Sequence, residues 1–117
     1  MIHDPEGRIT LHNHSHRVLV HLSGTVVADT DDAVELREQG YPNRQYLPRN
    51  ALVVGSLRAS DTRTYCPFKG SATYYDYVLG DQVIKDAVWS YQEPYRAMAG
   101  IAGRIVFDPA KFDETVA

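Results

Sequence analysis

"SATYYDYVLGDQVIKDAVWSY", Ser71 to Tyr91, decides the fold class. Two runs rich in aromatic and β-branched residues flank Gly80-Asp81, a dipeptide suited to a tight two-residue turn. The segment therefore reads as an antiparallel hairpin. Side chains alternate along an extended strand, so Ala72, Tyr74, Asp76 and Val78 are expected on one side and Thr73, Tyr75 and Tyr77 on the other.

Working outward, "RVLVHLSGTVVAD" (17–29) repeats the arrangement around a Ser23-Gly24 corner, with Val18, Val20 and Leu22 sharing a face. "AVELRE" (33–38) alternates Val34 and Leu36 with Glu35 and Arg37 and reads as a half-buried strand; a short helix capped by Thr30 or Asp31 is the alternative. "GYPNRQYLPRN" (40–50) is turn and extended chain. "ALVVGSLRAS" (51–60) fits either a short helix opening near Asn50 or another strand. Pro94 is placed to open a short helix, "PYRAMAGIA", that Gly103 ends; "RIVFD" (104–108) follows as the closing strand, stopped at Asp108-Pro109. The expected fold is mainly β, a compact antiparallel domain with one or two short helices.

The chain has 117 residues, the size of one ordinary domain, so 1–117 is read as a single domain with 1–16 as a loosely attached N-terminal segment. A net charge of −3 without a block of basic residues argues against a nucleic-acid partner. Arg44, Arg49, Arg58 and Arg63 read as solvated side chains on loops. One cysteine excludes an internal disulfide and a cysteine-rich zinc cluster, which fits a reducing compartment. "MIHDPEGRIT" lacks the pattern of a signal peptide and no apolar run reaches bilayer length, so a cytoplasmic protein without a membrane partner is expected.

Chemistry concentrates in "TYCPFKGSATYYDY" (64–77). Cys66 is the strongest nucleophile available, with Lys69 near enough in sequence to favour its thiolate; as a small buried hydrophobe it would simply mark a corner set by Pro67 and Gly70. Lys69 has three readings: a catalytic amine, an anion anchor beside the backbone amides around Gly70, or a surface charge. Tyr74, Tyr75, Tyr77, Trp89, Tyr91 and Tyr95 form core or a dimer interface, or else a pocket in which Tyr74, Asp76 and Trp89 lie beside Lys69. His12, His14 and His16 in "HNHSH" are the candidate metal ligands. Spaced two apart on one strand they converge poorly on a tetrahedral ion, so no metal and no cofactor is expected. Phosphate-loop, nucleophile-elbow and zinc-protease motifs are missing.

"GTVVADTDDAVELRE", "YLPRN", "SDTRTYCPFKGSATYYDY", "AVWSYQEPY" and "IAGRIVFDP" together resemble the domain-of-unknown-function 427 family, from about Arg17 to Asp113. The most specific part is Thr-x-Cys-Pro-x-Lys-Gly-x-Ala-x-Tyr, Thr64 to Tyr74, followed by Trp89-Ser90-Tyr91 and Pro94. The resemblance implies a β-tent type domain, similar to zinc-binding exchange-factor-like and methionine sulfoxide reductase folds, in a small bacterial protein that forms a homodimer. A nucleotidyltransferase-like label travels with the family. The cysteine pairs that hold zinc in those related folds have no counterpart beside Cys66. Asn50 stands where an acidic residue commonly follows Pro-Arg. The family pattern maps Glu38, Tyr46, Ser60, Thr64, Cys66, Lys69, Tyr74, Trp89 and Tyr91 as pocket residues. The leading expectation is a small-molecule-binding β domain. An enzyme using Cys66 or Lys69, with nucleotide chemistry among its options, and a protein-interaction module are the alternatives.

Overall fold

The computed structural model describes residues 8–117. Among these residues ten strands make three antiparallel sheets. The first sheet has the order β1 (Ile9–His14), β4 (Ala33–Glu38), β5 (Arg44–Tyr46). The second runs β10 (Asp113–Val116), β2 (Val18–Leu22), β3 (Thr25–Thr30), and the third β6 (Ser56–Cys66), β7 (Gly70–Leu79), β8 (Gln82–Ser90), β9 (Ile105–Phe107). Among the described residues only two short 3-10 segments, Arg49–Ala51 and Arg96–Ile101, interrupt the strands. Among the described residues no helix is long and apolar enough to cross a membrane.

The hairpin at Gly80-Asp81 forms as its sequence dictates, with Leu79 opposite Gln82. Ser23 and Gly24 both take positive φ, 51° and 84°, the handedness that lets a two-residue turn follow the twist of its strands. "AVELRE" is a strand, paired with β1 and β5. The two readings of "ALVVGSLRAS" both occur in part: the 3-10 turn ends at Ala51 and the strand begins at Ser56.

Alternation in the third sheet feeds two cores. Ala72, Tyr91 and Val106, with Tyr74 and Trp89 packed alongside, meet Val34, Leu36 and Tyr46 of the first sheet on one face. Tyr77, Val88 and Phe107 meet Val18, Val20 and Val27 of the second sheet on the other. The third sheet is thus the shared wall of the fold, which is why its central strands carry large side chains on both faces.

Three expectations need correction. "RIVFD" does not close the chain: after β9, Asp113–Val116 returns as β10 against β2, held by its backbone ladder while all four side chains are exposed. The segment 1–16 is not loose where it is described. Ile9–His14 pairs along its whole length with β4 and buries Ile9; residues 1–7 lie outside the described part. Asp76 does not share the surroundings of Tyr74, because the strands flanking β7 are bulged. β6 carries extra residues between Ala59 and Arg63, and β8 carries extra residues opposite Asp76, where Asp86 adopts φ 50°. The bulges meet across β7: Ser60 and Thr62 hydroxyls donate to the Asp86 carboxylate, and the Asp86 amide donates to Asp76 at 2.9 Å.

Candidate functional site

A cavity of about 310 Å³ is lined by residues of the first and third sheets and the turns beside them. β4 supplies Leu36 and Glu38, the following turn Tyr41 and Pro42, and β5 Arg44 and Tyr46. Across from them stand Cys66 at the end of β6, Lys69 in the turn to β7, Tyr74 on β7, Trp89 on β8 and Tyr91 just beyond it. Strand pairing fixes these positions. Arg44 lies opposite Leu36, and Tyr74 opposite Trp89, so each pair shares one face of its sheet.

The "CPFKG" corner is a tight hairpin turn. The Lys69 amide donates to the Cys66 carbonyl at 3.2 Å, and Gly70 takes φ 112°, a conformation that side chains disfavour. The Tyr95 amide donates to the Lys69 carbonyl at 3.1 Å and ties the turn to the segment beyond β8. Held this way, Lys69 turns its ammonium inward to Glu38, 3.0 Å away, with the two side chains only 13% and 11% exposed. Cys66 is half-buried against the same cavity.

Aromatic rings form most of the remaining wall. Tyr74 and Trp89 have ring centroids 6.2 Å apart, and Tyr46 and Tyr91 6.5 Å. Burial pushes the phenols of Tyr46 and Tyr91 well above the ordinary tyrosine range. Both are therefore neutral hydroxyls at physiological pH. The Arg44 guanidinium lies over the Trp89 ring, 6.0 Å from its centroid. Tyr41 is 63% exposed at the mouth. The site combines flat apolar surface, an internal ion pair, a further cation and a thiol.

The family model described as a domain of unknown function, DUF427, matches residues 10–117. The chain belongs to the DUF427 family. No curated protein matches it in sequence.

Of the residues that the resemblance to DUF427 singled out, the fold brings Glu38, Tyr46, Cys66, Lys69, Tyr74, Trp89 and Tyr91 to one cavity. Thr64 touches it indirectly, through a 3.0 Å hydrogen bond between its hydroxyl and that of Tyr74. Ser60 lies elsewhere, in the polar cluster with Asp86. Asp76 belongs to that cluster too and accepts from Arg58 at 3.1 Å, so the expected pocket of Tyr74, Asp76 and Trp89 loses its carboxylate to the bulge. Glu38 takes its place. Leu36, Tyr41, Pro42 and Arg44 were missed by the sequence reading; the cue was available in the pairing of β4 with β5, which puts Arg44 on the face of Leu36.

The three histidines stay near one another without converging on a common point. His14 and His16 have ring centroids 5.4 Å apart and the His16 amide donates to His14 Nδ1 at 3.2 Å, while His14 also bonds Gln45 at 2.8 Å and His12 bonds the Thr10 hydroxyl. Among the described residues no group of three or more His, Cys, Asp or Glu is placed to hold a metal ion. Tyr75, expected in the aromatic cluster, faces away from the cavity and accepts hydrogen bonds from Arg49 and Gln92. Tyr65 and Tyr95 pair their hydroxyls on the outer surface.

Proposed function

We propose that the protein binds a small molecule in the cavity between its first and third sheets. The observation that carries this reading is the wall itself. Tyr74, Trp89 and Tyr91 present rings toward a space of about 310 Å³, within the range of small-ligand pockets, and polar groups converge at its sides. Tyr41 adds an exposed ring at the mouth, the kind of surface a bound ligand would cover. A reducing cytoplasm and a homodimer belong to the same proposal; the single cysteine suits the first and the exposed Tyr65, with the half-buried Tyr95 against it, offers a contact for the second.

Catalysis is the second reading, favoured by the position of Cys66 on the cavity wall. Lys69 is a poorer candidate for amine chemistry, since it would first have to leave Glu38.

Trp89 is the only tryptophan, so its indole N–H gives one assignable probe of the cavity. Titration of the ¹⁵N-labelled protein with small planar aromatic compounds is expected to move that resonance, and Tyr41→Ala to weaken the response without altering thermal unfolding. An indole signal indifferent to every compound would remove the binding reading.

A further inference from the structure

We propose that the cavity selects planar ligands bearing one anionic group, and that Arg44, not Lys69, receives the charge. The inference rests on the pocket reading above and concerns what the pocket prefers.

The first step is a charge count. Glu38 and Lys69 are 3.0 Å apart and nearly withdrawn from solvent, so their charges cancel at the wall. Arg44 has no such mate. Among the described residues its side chain makes no hydrogen bond or ion pair; its close partner is the ring of Trp89, and Glu114 feels its charge only at longer range. One uncompensated positive charge therefore borders the cavity of a protein whose net charge is −3.

The second step is geometry. A guanidinium offers a planar fork of five N–H donors that matches a carboxylate or a phosphate, whereas an ammonium is a point charge. Strand pairing with Leu36 holds Arg44 on the cavity face, and its guanidinium stands over Trp89, the ring a planar ligand would stack beside. A ligand with a flat body against Trp89 and Tyr74 would carry its substituent toward Arg44.

The third step excludes Lys69. An anion seated on its ammonium would also face the Glu38 carboxylate already bonded there, and like charges at that separation repel. Lys69 instead neutralises Glu38 and so keeps the wall from repelling anions.

The test uses the full chain and three probes of similar shape, benzoate, phenyl phosphate and neutral benzamide, read at the Trp89 indole N–H. At least one anion is expected to bind about tenfold tighter than benzamide at low salt, because charge-assisted hydrogen bonds are roughly twice as strong as neutral ones; which anion wins tells carboxylate from phosphate. Arg44→Gln should reduce that preference to near unity while benzamide binding persists. The double variant Glu38→Gln/Lys69→Met removes the ion pair as a unit and should keep the preference. Equal affinity for anion and amide in the unaltered protein overturns the inference and leaves the pocket. So does a preference that survives Arg44→Gln, or one that disappears in the double variant. Failure of all three probes to move the indole signal overturns the pocket and this inference together.

Discussion

The Glu38–Lys69 pair makes the sharpest quantitative demand on the site. At 3.0 Å and an effective dielectric constant of about 20, the gross attraction is about 5 kcal/mol. Desolvation of two groups that keep 13% and 11% of their exposure offsets much of it, leaving a net coupling of about 2 kcal/mol. Removing both members should cost less than the sum of removing each. Lys69→Met strands a carboxylate at the cavity wall and is expected to cost about 3 kcal/mol, Glu38→Gln about 2, and the double variant about 3 instead of their sum. For a chain of this size each kcal/mol lowers the melting temperature by about 4 °C. Urea and thermal unfolding of the four proteins, followed by circular dichroism and Trp89 fluorescence, close the cycle. The coupling should persist at high salt because water and ions reach the pair poorly. The Arg17–Asp29 pair, with side chains 62% and 32% exposed, is the control and should contribute nothing measurable there. Single-variant effects that add to within 0.5 kcal/mol, a usual margin for independent sites, would refute the reasoning.

Two further outcomes follow from the fold. Asp76 is held below the ordinary aspartate range, first by the amide of Asp86 and then by Arg58 and Lys85. A carboxyl whose folded titration point is lowered stabilises the protein fully above its unfolded value, near 4, and loses that contribution as pH falls toward the folded one. Melting temperature measured from pH 6 to pH 2 should therefore drop more steeply for the unaltered protein than for Asp76→Asn; parallel curves would deny the carboxylate this role. Gly55 takes φ 82°, and a Cβ there would stand 2.5 Å from the hydroxyl oxygen of Tyr77, a fully buried residue whose hydroxyl donates to Val54 at 2.8 Å. Gly55→Ala should cost about 3 kcal/mol from left-handed strain and overpacking together, and part of that should vanish in a Tyr77→Leu background; strict additivity in urea unfolding would show that the ring is not the obstacle.

The hairpins were legible because their signals are local. Ser23-Gly24 and Gly80-Asp81 sit between runs of strand-forming residues, and turn and alternation agree. β10 was not legible, since "DETV" has no apolar periodicity and its partner β2 lies some ninety residues earlier in the chain; the backbone ladder alone decides it. The β8 bulge at Asp86 was also hidden. No glycine marks it, and its cause is the carboxylate of Asp76 across the ladder, a tertiary contact. That one irregularity turned Asp76 from a pocket residue into a clasp between β6 and β8.

The site was half legible for a related reason. Cys66, Lys69, Tyr74 and Trp89 come from β6, the turn after it, β7 and β8, so two consecutive hairpins of one sheet gather them. Arg44 and Tyr41 come from the other sheet, inside a segment whose prolines and glycine read only as turn. What the sequence posed as a choice, a reactive centre or a tight corner, is a single arrangement. The hydrogen bonds that close the Cys66–Gly70 turn and fasten it to Tyr95 also fix Lys69 against Glu38. A wall fixed before a ligand arrives spends little of its binding energy on ordering. On the proposed binding reading, discrimination falls to Arg44, whose side chain has no ion pair among the described residues, and to Tyr41, the exposed ring at the mouth.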